Sequence, residues 1–335
     1  MKILVIRFSS IGDIVLTSAL LRCLHQQVEG AEIHYLTKSS YATLLSDNPH
    51  VSRVHVLEED PRNLQSRLRA EHFDFVADLQ GNRKSRHIGR SLHAKYATYD
   101  KQDVARMMLV LTKKDRTDHR HVAERYFDAV KPLGVTPDGK GLECYYEPSD
   151  ITPLLVDRKH HQLPADFLDK PYAVISVGSQ HATKCIPLDK LQVVCSYISG
   201  PVLLLGDAND RQRIKEFGPR FHDNVLNLCG KSSLSQTMQL IDKAAVVLTG
   251  DSALMHMAAA FATPMVVLWG STVPEFGFSP YKVEAANMEV DVWCRPCHRF
   301  GFSRCPLKHF DCMEKQKWQR IAQAVKMLVD PSNNI

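Results

Sequence analysis

Residues 245–270 constrain the fold of this chain most, because they read as a strand, a tight turn, a helix and a second strand. The apolar runs 246–248 and 265–269 are typical of parallel strands that are buried on both faces. Turn and helix-capping residues lie between them at 249–252, and good helix formers follow at 253–261. Such a turn presents free backbone N–H groups at the positive end of a helix, which is a common phosphate site. The alternative interpretation is an ordinary strand-to-helix connection with a buried histidine.

The same strand, loop and helix pattern recurs along the chain and predicts two α/β domains. A strand is predicted at 2–7, a glycine-containing loop at 8–13 and a helix at 14–24, without the G-x-G-x-x-G fingerprint of dinucleotide-binding folds. The pattern breaks in a polar, proline-containing region around 136–170 and restarts with a strand at 172–177. Strands that alternate with helices predict doubly wound parallel sheets, and a length of 335 residues suits two domains.

Composition describes an ordinary globular protein with a mildly basic charge. The net charge of +5 is compatible with an anionic ligand and does not require nucleic acid. We expect no secretory signal, because the opening MKILVIRFSS reads as a strand, and no transmembrane segment, because the longest apolar runs are short. Nine cysteines without a signal predict a reducing cytoplasm.

A basic stretch follows the strand predicted at 73–79. Residues 79–131 contain thirteen Lys or Arg and six Asp or Glu, and Arg83, Lys84 and Arg86 come just after the strand end. Ligands of doubly wound folds bind at such strand ends, although a solvated helix face would have the same composition. Aromatic residues are sparse here, so we expect no nucleic acid partner.

Four cysteines lie close together near the end of the chain, with the spacing C-x2-C-x7-C-x6-C. They are Cys294, Cys297, Cys305 and Cys312. Four thiolates suit a tetrahedral structural zinc ion, and His298 and His309 are further candidate ligands. Free thiols, or redox or iron–sulfur chemistry, are the alternatives.

Five short segments in order carry a family resemblance. They are MKILVIRFSSIGDIVLTSALL at 1–21, FDFVADLQG at 73–81, HVAERY at 121–126 with Leu-Gly at 133–134, Val-Gly-Ser at 177–179 with Lys184 and Pro187, and GDSALMH at 250–256 with Thr-Pro at 263–264. Together they resemble glycosyltransferase family 9, the heptosyltransferases that build the inner core of bacterial lipopolysaccharide.

The resemblance implies the GT-B architecture, in which two Rossmann-like, doubly wound α/β domains face a cleft. We therefore expect an acceptor-binding N-terminal domain at 1–160 and a nucleotide-sugar-binding C-terminal domain at 161–315. The last segment, 316–335, would form a helix that packs back on the N-terminal domain.

On the acceptor side, the resemblance places the catalytic carboxylate at Asp13. A general base of this kind takes the proton from the acceptor hydroxyl as it attacks the anomeric carbon. A position at a helix N-terminus would keep the carboxylate ionised, although a plain helix cap is the alternative. The other expected acceptor-binding residues are Ser10, Gly12, Gln80, Arg83, Lys84, Arg86 and Arg120.

On the donor side, Lys184 is the expected clamp for the diphosphate, since the leaving group needs positive charge. The other expected donor-binding residues are Ser179, Asp251, Ser252, Ala253 and His256. Asp207 and Asp210 follow a predicted strand end and are candidates for contacts to the donor ribose, although a solvated loop is the alternative. The sequence departs from the family pattern at Ile186, where the family has Trp, at Ser252, where it has Thr, and at Ala253, where it has Gly.

The resemblance thus implies an inverting glycosyltransferase that moves heptose, or a related sugar, from an ADP-sugar to a phosphorylated glycolipid acceptor in the lipopolysaccharide inner core. The enzyme would be cytoplasmic and peripheral to the inner membrane face. We expect no cofactor for catalysis, because the chain lacks the Asp-x-Asp motif of metal-dependent glycosyltransferases. The alternatives are another GT-B enzyme, such as a nucleotide-sugar epimerase, and a catalytically idle protein that binds anionic glycans or nucleic acid.

Overall fold

The chain divides into two compact units, each of which is described by itself. A computed structural model describes residues 1–57, 61–157, 161–162, 170–218 and 221–329. The first unit comprises Met1–Asp103 and Asp118–Glu147, and the second comprises Val104–Thr117 and Pro148–Ile335. Residue 160, at the predicted domain boundary, and residues 330–335 of the predicted terminal segment lie outside the described residues.

The strands and helices are numbered in chain order. Strands β1 to β13 are Lys2–Ile6, Glu32–Thr37, Arg53–Val56, Phe75–Asp78, Lys95–Thr98, Val156–Asp157, His161–Gln162, Ala173–Ser176, Val202–Leu205, Val225–Asn227, Val246–Gly250, Met265–Trp269 and Ala286–Glu289. Helices α1 to α14 are Ile11–Val15, Ser18–Gln27, Thr43–Ser46, Pro61–Ala70, Arg83–Arg90, Asp103–Thr112, Val122–Tyr126, Thr152–Leu155, Leu188–Tyr197, Ala208–Phe217, Leu234–Asp242, Ala253–Ala260, Asp311–Glu314 and Trp318–Val329. Among the described helices, none has both the length and the apolar composition that a bilayer crossing requires.

The first unit contains a parallel five-stranded sheet in the order β3-β2-β1-β4-β5. Strand β1 is central, and its Ile3 pairs with Ile33 of β2 on one side and with Phe75 of β4 on the other. The strand order reverses between β1 and β4, so the loops that follow these two strands meet at the carboxyl edge of the sheet. This edge is where doubly wound folds bind their ligands.

The second unit contains a parallel six-stranded sheet in the order β10-β9-β8-β11-β12-β13. Here the order reverses between β8 and β11, where Ile175 pairs with Leu248. Both strands are completely buried, as their continuous apolar sequences predict. The prediction of two doubly wound α/β domains is therefore confirmed at the level of each sheet.

The helix predicted at 14–24 is two helices in the structure. The hydroxyl of Thr17 donates to the carbonyl of Ile14 at 2.7 Å, at the point where α1 ends and α2 begins. Helix α1 begins at Ile11, earlier than predicted, so Asp13 lies in its first turn and not in a loop.

The final helix packs on a different unit from the one we predicted. The buried residues Trp318, Ile321 and Val325 of α14 lie in one hydrophobic core with Leu191 and Val194 of α9. These partners belong to the second unit. The expectation that this helix packs on the N-terminal domain is corrected accordingly, since an amphipathic pattern reports an apolar face but not its partner.

Candidate functional site

Asp13 lies at the carboxyl edge of the first sheet with both carboxylate oxygens bound. Arg7 Nη2 is 2.6 Å from Oδ1, and the backbone N and the hydroxyl of Ser10 donate to Oδ2 at 3.0 and 2.9 Å. Burial by itself raises the pKa of Asp13, but the Arg7 charge and the Ser10 hydrogen bonds outweigh it and hold that pKa below its usual value. The carboxylate is therefore ionised at neutral pH, with Arg7 as its main charge partner.

Arg7 is a site residue that sequence analysis missed. Its Nε donates to the Ser9 carbonyl at 2.8 Å, and its Nη1 donates to the Leu79 carbonyl at 2.6 Å. The guanidinium also lies 5.9 Å from the ring centre of Tyr126. Arg7 thus ties the loop after β1 to the loop after β4. A charged residue directly after an otherwise apolar strand was the available signal.

Gln80 lies beside this arrangement, in the loop after β4. Its Oε1 accepts from the backbone N of Phe8 at 2.9 Å, and Lys101 Nζ donates to its carbonyl. The buried carboxylate of Asp78 supports the loop, since its Oδ1 accepts from the backbone N of Gln80 at 2.9 Å and of Gly81 at 2.8 Å. Asp78 is therefore a structural acid, and Gln80 is the side chain next to the β1 loop.

The predicted basic residues of this unit differ in their surroundings. Arg83, Lys84 and Arg86 lie exposed on α5, which begins directly after the Gln80 loop. The guanidinium of Arg120 instead binds the carboxylate of Asp118 at 2.7 Å and that of Asp128 at 2.8 Å. The charge of Arg120 is thus balanced locally, whereas the α5 side chains form an exposed basic face. The buried Gly12, the other residue predicted with this group, lies inside α1.

In the second unit, Lys184 and Asp251 form a largely buried ion pair. Lys184 Nζ is 2.6 Å from Asp251 Oδ2, and the Thr272 hydroxyl donates to the same oxygen at 2.7 Å. Burial raises the pKa of Asp251, but Lys184 and Thr272 outweigh it and the net pKa is lowered. The structure therefore brings together two residues that were predicted from segments 67 positions apart.

Two strand-end glycines allow the backbone before Lys184 to approach the sheet. A Cβ at Gly250 would lie 2.6 Å from the Lys184 carbonyl oxygen, and one at Gly270 would lie 2.7 Å from that of Thr183. The Thr183 hydroxyl also accepts from the backbone N of Phe302 at 2.8 Å. Close backbone contact thus fixes the origin of the Lys184 side chain.

The segment after β11 places three further predicted residues near this ion pair. Ser252 is the residue before α12, and its hydroxyl lies 2.9 Å from that of Thr249, leaving the first turn of the helix without a side-chain cap. Ala253 is the first residue of α12 and is partly buried. His256 is buried, and its charge is one of the influences that lower the pKa of Asp251. This arrangement suits an anion at the start of α12.

The remaining predicted donor residues lie at neighbouring strand ends with roles of their own. Asp207 caps α10, and its backbone N donates to the carboxylate of Asp210 at 3.0 Å. That carboxylate packs so closely on Gly178 that a Cβ there would lie 1.9 Å from an oxygen. The Ser179 carbonyl accepts from the Cys185 thiol at 3.7 Å. Both acids therefore stabilise the helix end, and the ribose contact we expected of them stays a prediction.

The four clustered cysteines form no disulfide, and their sulfur atoms are not close enough together for a closed metal site. Cys294 Sγ lies 3.8 Å from His309 Nε2, and the pKa of Cys312 is raised by burial and by the other three thiols. Within the part of the chain that the structure describes, only His34, His55 and Glu71 bring three ligand atoms within 4.8 Å of one another.

That His34 group is better described as a hydrogen-bonded pair than as a metal site. His34 Nδ1 lies 2.9 Å from His55 Nε2, and Glu71 is held by Lys2 at 3.1 Å and by Arg53 at 2.6 Å. Burial lowers the pKa of His55 to about 4, which favours the neutral ring. The two histidines lie on the neighbouring strands β2 and β3, whereas Asp13 lies in the helix that follows β1.

The sequence pattern of glycosyltransferase family 9, described as heptosyltransferase, matches residues 62–306. The chain belongs to glycosyltransferase family 9. Lipopolysaccharide heptosyltransferase 1 of Campylobacter coli is 26% identical over 297 residues, which are 81% of this chain and 84% of that protein. Membership makes this chain a glycosyltransferase, as predicted, and favours transfer over the epimerase alternative.

Solved structures of the family agree with the fold. The E. coli ADP-heptose lipopolysaccharide heptosyltransferase II superposes with a TM-score of 0.74 at 21% identity and covers 99% of both chains. E. coli heptosyltransferase WaaC with ADP-2-deoxy-2-fluoro heptose superposes with a TM-score of 0.64 at 20% identity, covering 97% of this chain and 99% of that one. The two parallel-sheet domains therefore belong to the GT-B fold class, as predicted.

Proposed function

We propose that this enzyme transfers heptose, or a related sugar, from an ADP-sugar to the phosphorylated inner core of lipopolysaccharide, with inversion at the anomeric carbon. The observation that carries the proposal is the ionised Asp13 carboxylate, held by Arg7 at the carboxyl edge of the first sheet of a family 9 enzyme. The relatives' names support heptose and lipopolysaccharide, and the ADP-sugar in the WaaC structure supports the nucleotide.

In this proposal Asp13 acts as general base. Its carboxylate takes the proton of an acceptor hydroxyl while that oxygen bonds to the anomeric carbon of the donor and the bond to the diphosphate breaks. ADP leaves with the electron pair of the broken bond, and the attack from the opposite side inverts the configuration. Ser10 and Arg7 orient the carboxylate, and Gln80 lies beside the same loop.

The donor diphosphate would bind at the start of α12 beside Lys184. Lys184 supplies a positive charge for the leaving group, and Asp251 holds the ammonium in place at 2.6 Å. The uncapped N–H groups of α12 and the Ser252 hydroxyl would add hydrogen bonds. The Cβ of Ala253 stands where the family has glycine, so this chain would hold the phosphates slightly differently from its relatives.

We propose that the exposed basic face of α5 attracts the acidic acceptor. Arg83, Lys84 and Arg86 are exposed and follow directly after the Gln80 loop. Arg120 is a weaker candidate, because Asp118 and Asp128 already bind its guanidinium. Cationic side chains of this kind would attract the enzyme to an anionic membrane surface by charge, which is the peripheral association that we propose.

We keep structural zinc at the four cysteines as a secondary proposal. The spacing of the thiols and the proximity of His309 to Cys294 support it. The sulfur atoms would have to move closer to bind zinc, since in the described structure no three of them lie within 4.8 Å of one another. Elemental analysis should find one zinc per chain in the wild type and none in Cys297→Ser, and metal-free wild-type protein would remove the proposal.

A donor panel tests the proposed function. ADP-, GDP- and UDP-sugars are incubated with the enzyme and a heptose-deficient lipopolysaccharide acceptor, and the products are measured by mass spectrometry. We expect a mass gain of one heptose from ADP-heptose alone. Transfer from another nucleotide-sugar would support glycosyl transfer but overturn the proposed ADP-sugar donor. Ala253 and Ile186 would then be the first residues to mutate, because they depart from the family pattern. An absence of nucleotide binding would overturn the assignment of the second unit.

A further inference from the structure

Helix α6 of the second unit has an apolar face that is exposed. Val104, Met107 and Leu111 share one side of the helix and are 78%, 41% and 70% exposed. On the opposite side, Leu109 packs with Phe276 in a small hydrophobic cluster. The helix is therefore anchored by one face and presents a second, equally apolar face outward.

The cysteine-containing loop at 292–310 presents large apolar side chains of the same kind. Trp293, Phe300 and Leu307 are 77%, 47% and 47% exposed. The loop contains no Asp or Glu. Of its Lys and Arg residues, Arg304 and Lys308 are exposed and Arg299 is half-buried. The side chain of Arg295 is only 8% exposed and is paired with Glu289 at 2.7 Å, so it does not add to the surface charge. The guanidinium of Arg299 lies 5.3 Å from the ring centre of Phe300, so aromatic and basic groups are interleaved.

A pair of hydrogen bonds joins the helix and the loop. Lys113, directly after α6, donates from Nζ to the carbonyl of Cys294 at 3.1 Å and to that of Pro296 at 2.6 Å. The end of the helix therefore lies next to Trp293. We call the exposed side chains of α6 and of loop 292–310 the apolar–basic surface.

We propose that the apolar–basic surface docks on an anionic phospholipid bilayer, with Trp293 and the outer face of α6 at the boundary between headgroups and acyl chains. A tryptophan flanked by cations and exposed aliphatic residues has the chemistry of a membrane-interface anchor. The absence of acidic residues from the loop makes the charge complementary to anionic headgroups. The inference rests on the proposed function, because a glycolipid acceptor requires the enzyme at a membrane.

Tryptophan fluorescence tests the proposal, because the chain supplies its own probe. Trp269 and Trp318 are 0% and 5% exposed, so a vesicle-dependent change in emission reports Trp293. Vesicles of phosphatidylcholine with phosphatidylglycerol, carrying doxyl-labelled acyl chains, should shift the emission to the blue and quench it. Trp293→Phe should abolish both effects, whereas pure phosphatidylcholine should give a smaller one. If vesicles bind but the Trp293 emission does not change, the proposal is overturned, and the basic face of α5 becomes the membrane contact.

Matched variants distinguish binding through this surface from nonspecific hydrophobic binding. Val104→Ser/Leu111→Ser should weaken vesicle binding at least about tenfold in a sedimentation assay, since two aliphatic groups that would enter the bilayer are lost. Met327→Ser/Leu328→Ser removes two exposed apolar residues of α14 and should leave binding unchanged. Equal losses of vesicle binding in both double variants would contradict the proposal. A blue shift that appears without vesicles and grows with protein concentration would also contradict it, because it would indicate a second copy of the chain as the partner. ADP affinity should be normal in every variant, so failure here is distinct from failure of the donor site.

Discussion

Arg7 Nη2 lies 2.6 Å from Asp13 Oδ1, and this ion pair sets both the charge and the orientation of the proposed base. Arg7 is anchored independently by the carbonyls of Ser9 and Leu79, so the carboxylate is held by a rigid partner. The pair keeps Asp13 ionised but also makes it a weaker base than an ordinary aspartate. Proton transfer is therefore expected to accompany attack on the sugar and not to precede it.

Replacement of Arg7 should change the pH dependence of catalysis. In Arg7→Gln the cost of burying the Asp13 carboxylate remains while its main charge partner is lost, so the pKa of Asp13 should rise. The acidic limb of the kcat/KM profile should move to higher pH by about one unit or more. Arg53→Gln, an exposed arginine of the same unit, is the control. An unshifted acidic limb in Arg7→Gln would show that the titration of Asp13 does not set this limb.

Lys184→Met should weaken ADP binding about 10- to 100-fold, because a charged contact to phosphate is lost. The same change leaves the Asp251 carboxylate buried without its ammonium and should lower the melting temperature. Lys184→Met/Asp251→Asn removes the unpaired charge and should recover much of the stability but not the affinity. Calorimetric titration with ADP and thermal unfolding distinguish the two effects. Full recovery of ADP affinity in the double variant would exclude Lys184 as the phosphate contact.

Gly178→Ala should destabilise the second unit by about 1–3 kcal/mol, because the new Cβ collides with the Asp210 carboxylate. Asp210→Ala opens that space, so the double variant should lose less stability than the sum of the two single changes. A double-mutant cycle by urea unfolding measures this coupling. Strict additivity would mean that the two residues do not share this contact.

The first unit should lose stability between pH 6.5 and pH 4. Burial holds the folded pKa of His55 at about 4, below the ordinary 6.5, so the neutral ring stabilises the fold above pH 6.5. This contribution falls as the pH drops through that window and amounts to about 3 kcal/mol. His55→Gln should flatten the melting temperature over this range, while the exposed His87→Gln should not. Parallel curves for His55→Gln and wild type would contradict the assignment.

Sequence analysis predicted the two sheets because completely buried parallel strands, such as β8 and β11, consist of unbroken apolar runs. It missed the edge strands β5 and β13, whose residues are mostly exposed or half-buried and have no such run. Lys184 and Asp251 were both selected from family motifs, and the structure brings them together. Arg7 was not selected, because its reach to the Leu79 carbonyl depends on the pairing of β1 with β4.

Local sequence also left the roles of two acids open. Asp207 and Asp210 have the spacing of a helix cap as well as the polarity of a ribose contact. The structure shows that the Asp210 carboxylate packs on Gly178 and accepts from the backbone N of Asp207. The family resemblance led us to expect α14 on the N-terminal domain, although an amphipathic helix fits either domain. The buried side chains of α14 lie with those of α9.

The most direct test of the central claim compares Asp13→Asn with the wild type in single-turnover transfer from ADP-heptose. The amide keeps the size of the side chain and its place beside Arg7 and Ser10 but cannot take the acceptor proton. We expect transfer to fall by about 100-fold or more while the affinity for ADP, measured on the same protein, stays within about twofold of wild type. Transfer at the wild-type rate by Asp13→Asn would exclude Asp13 as the base.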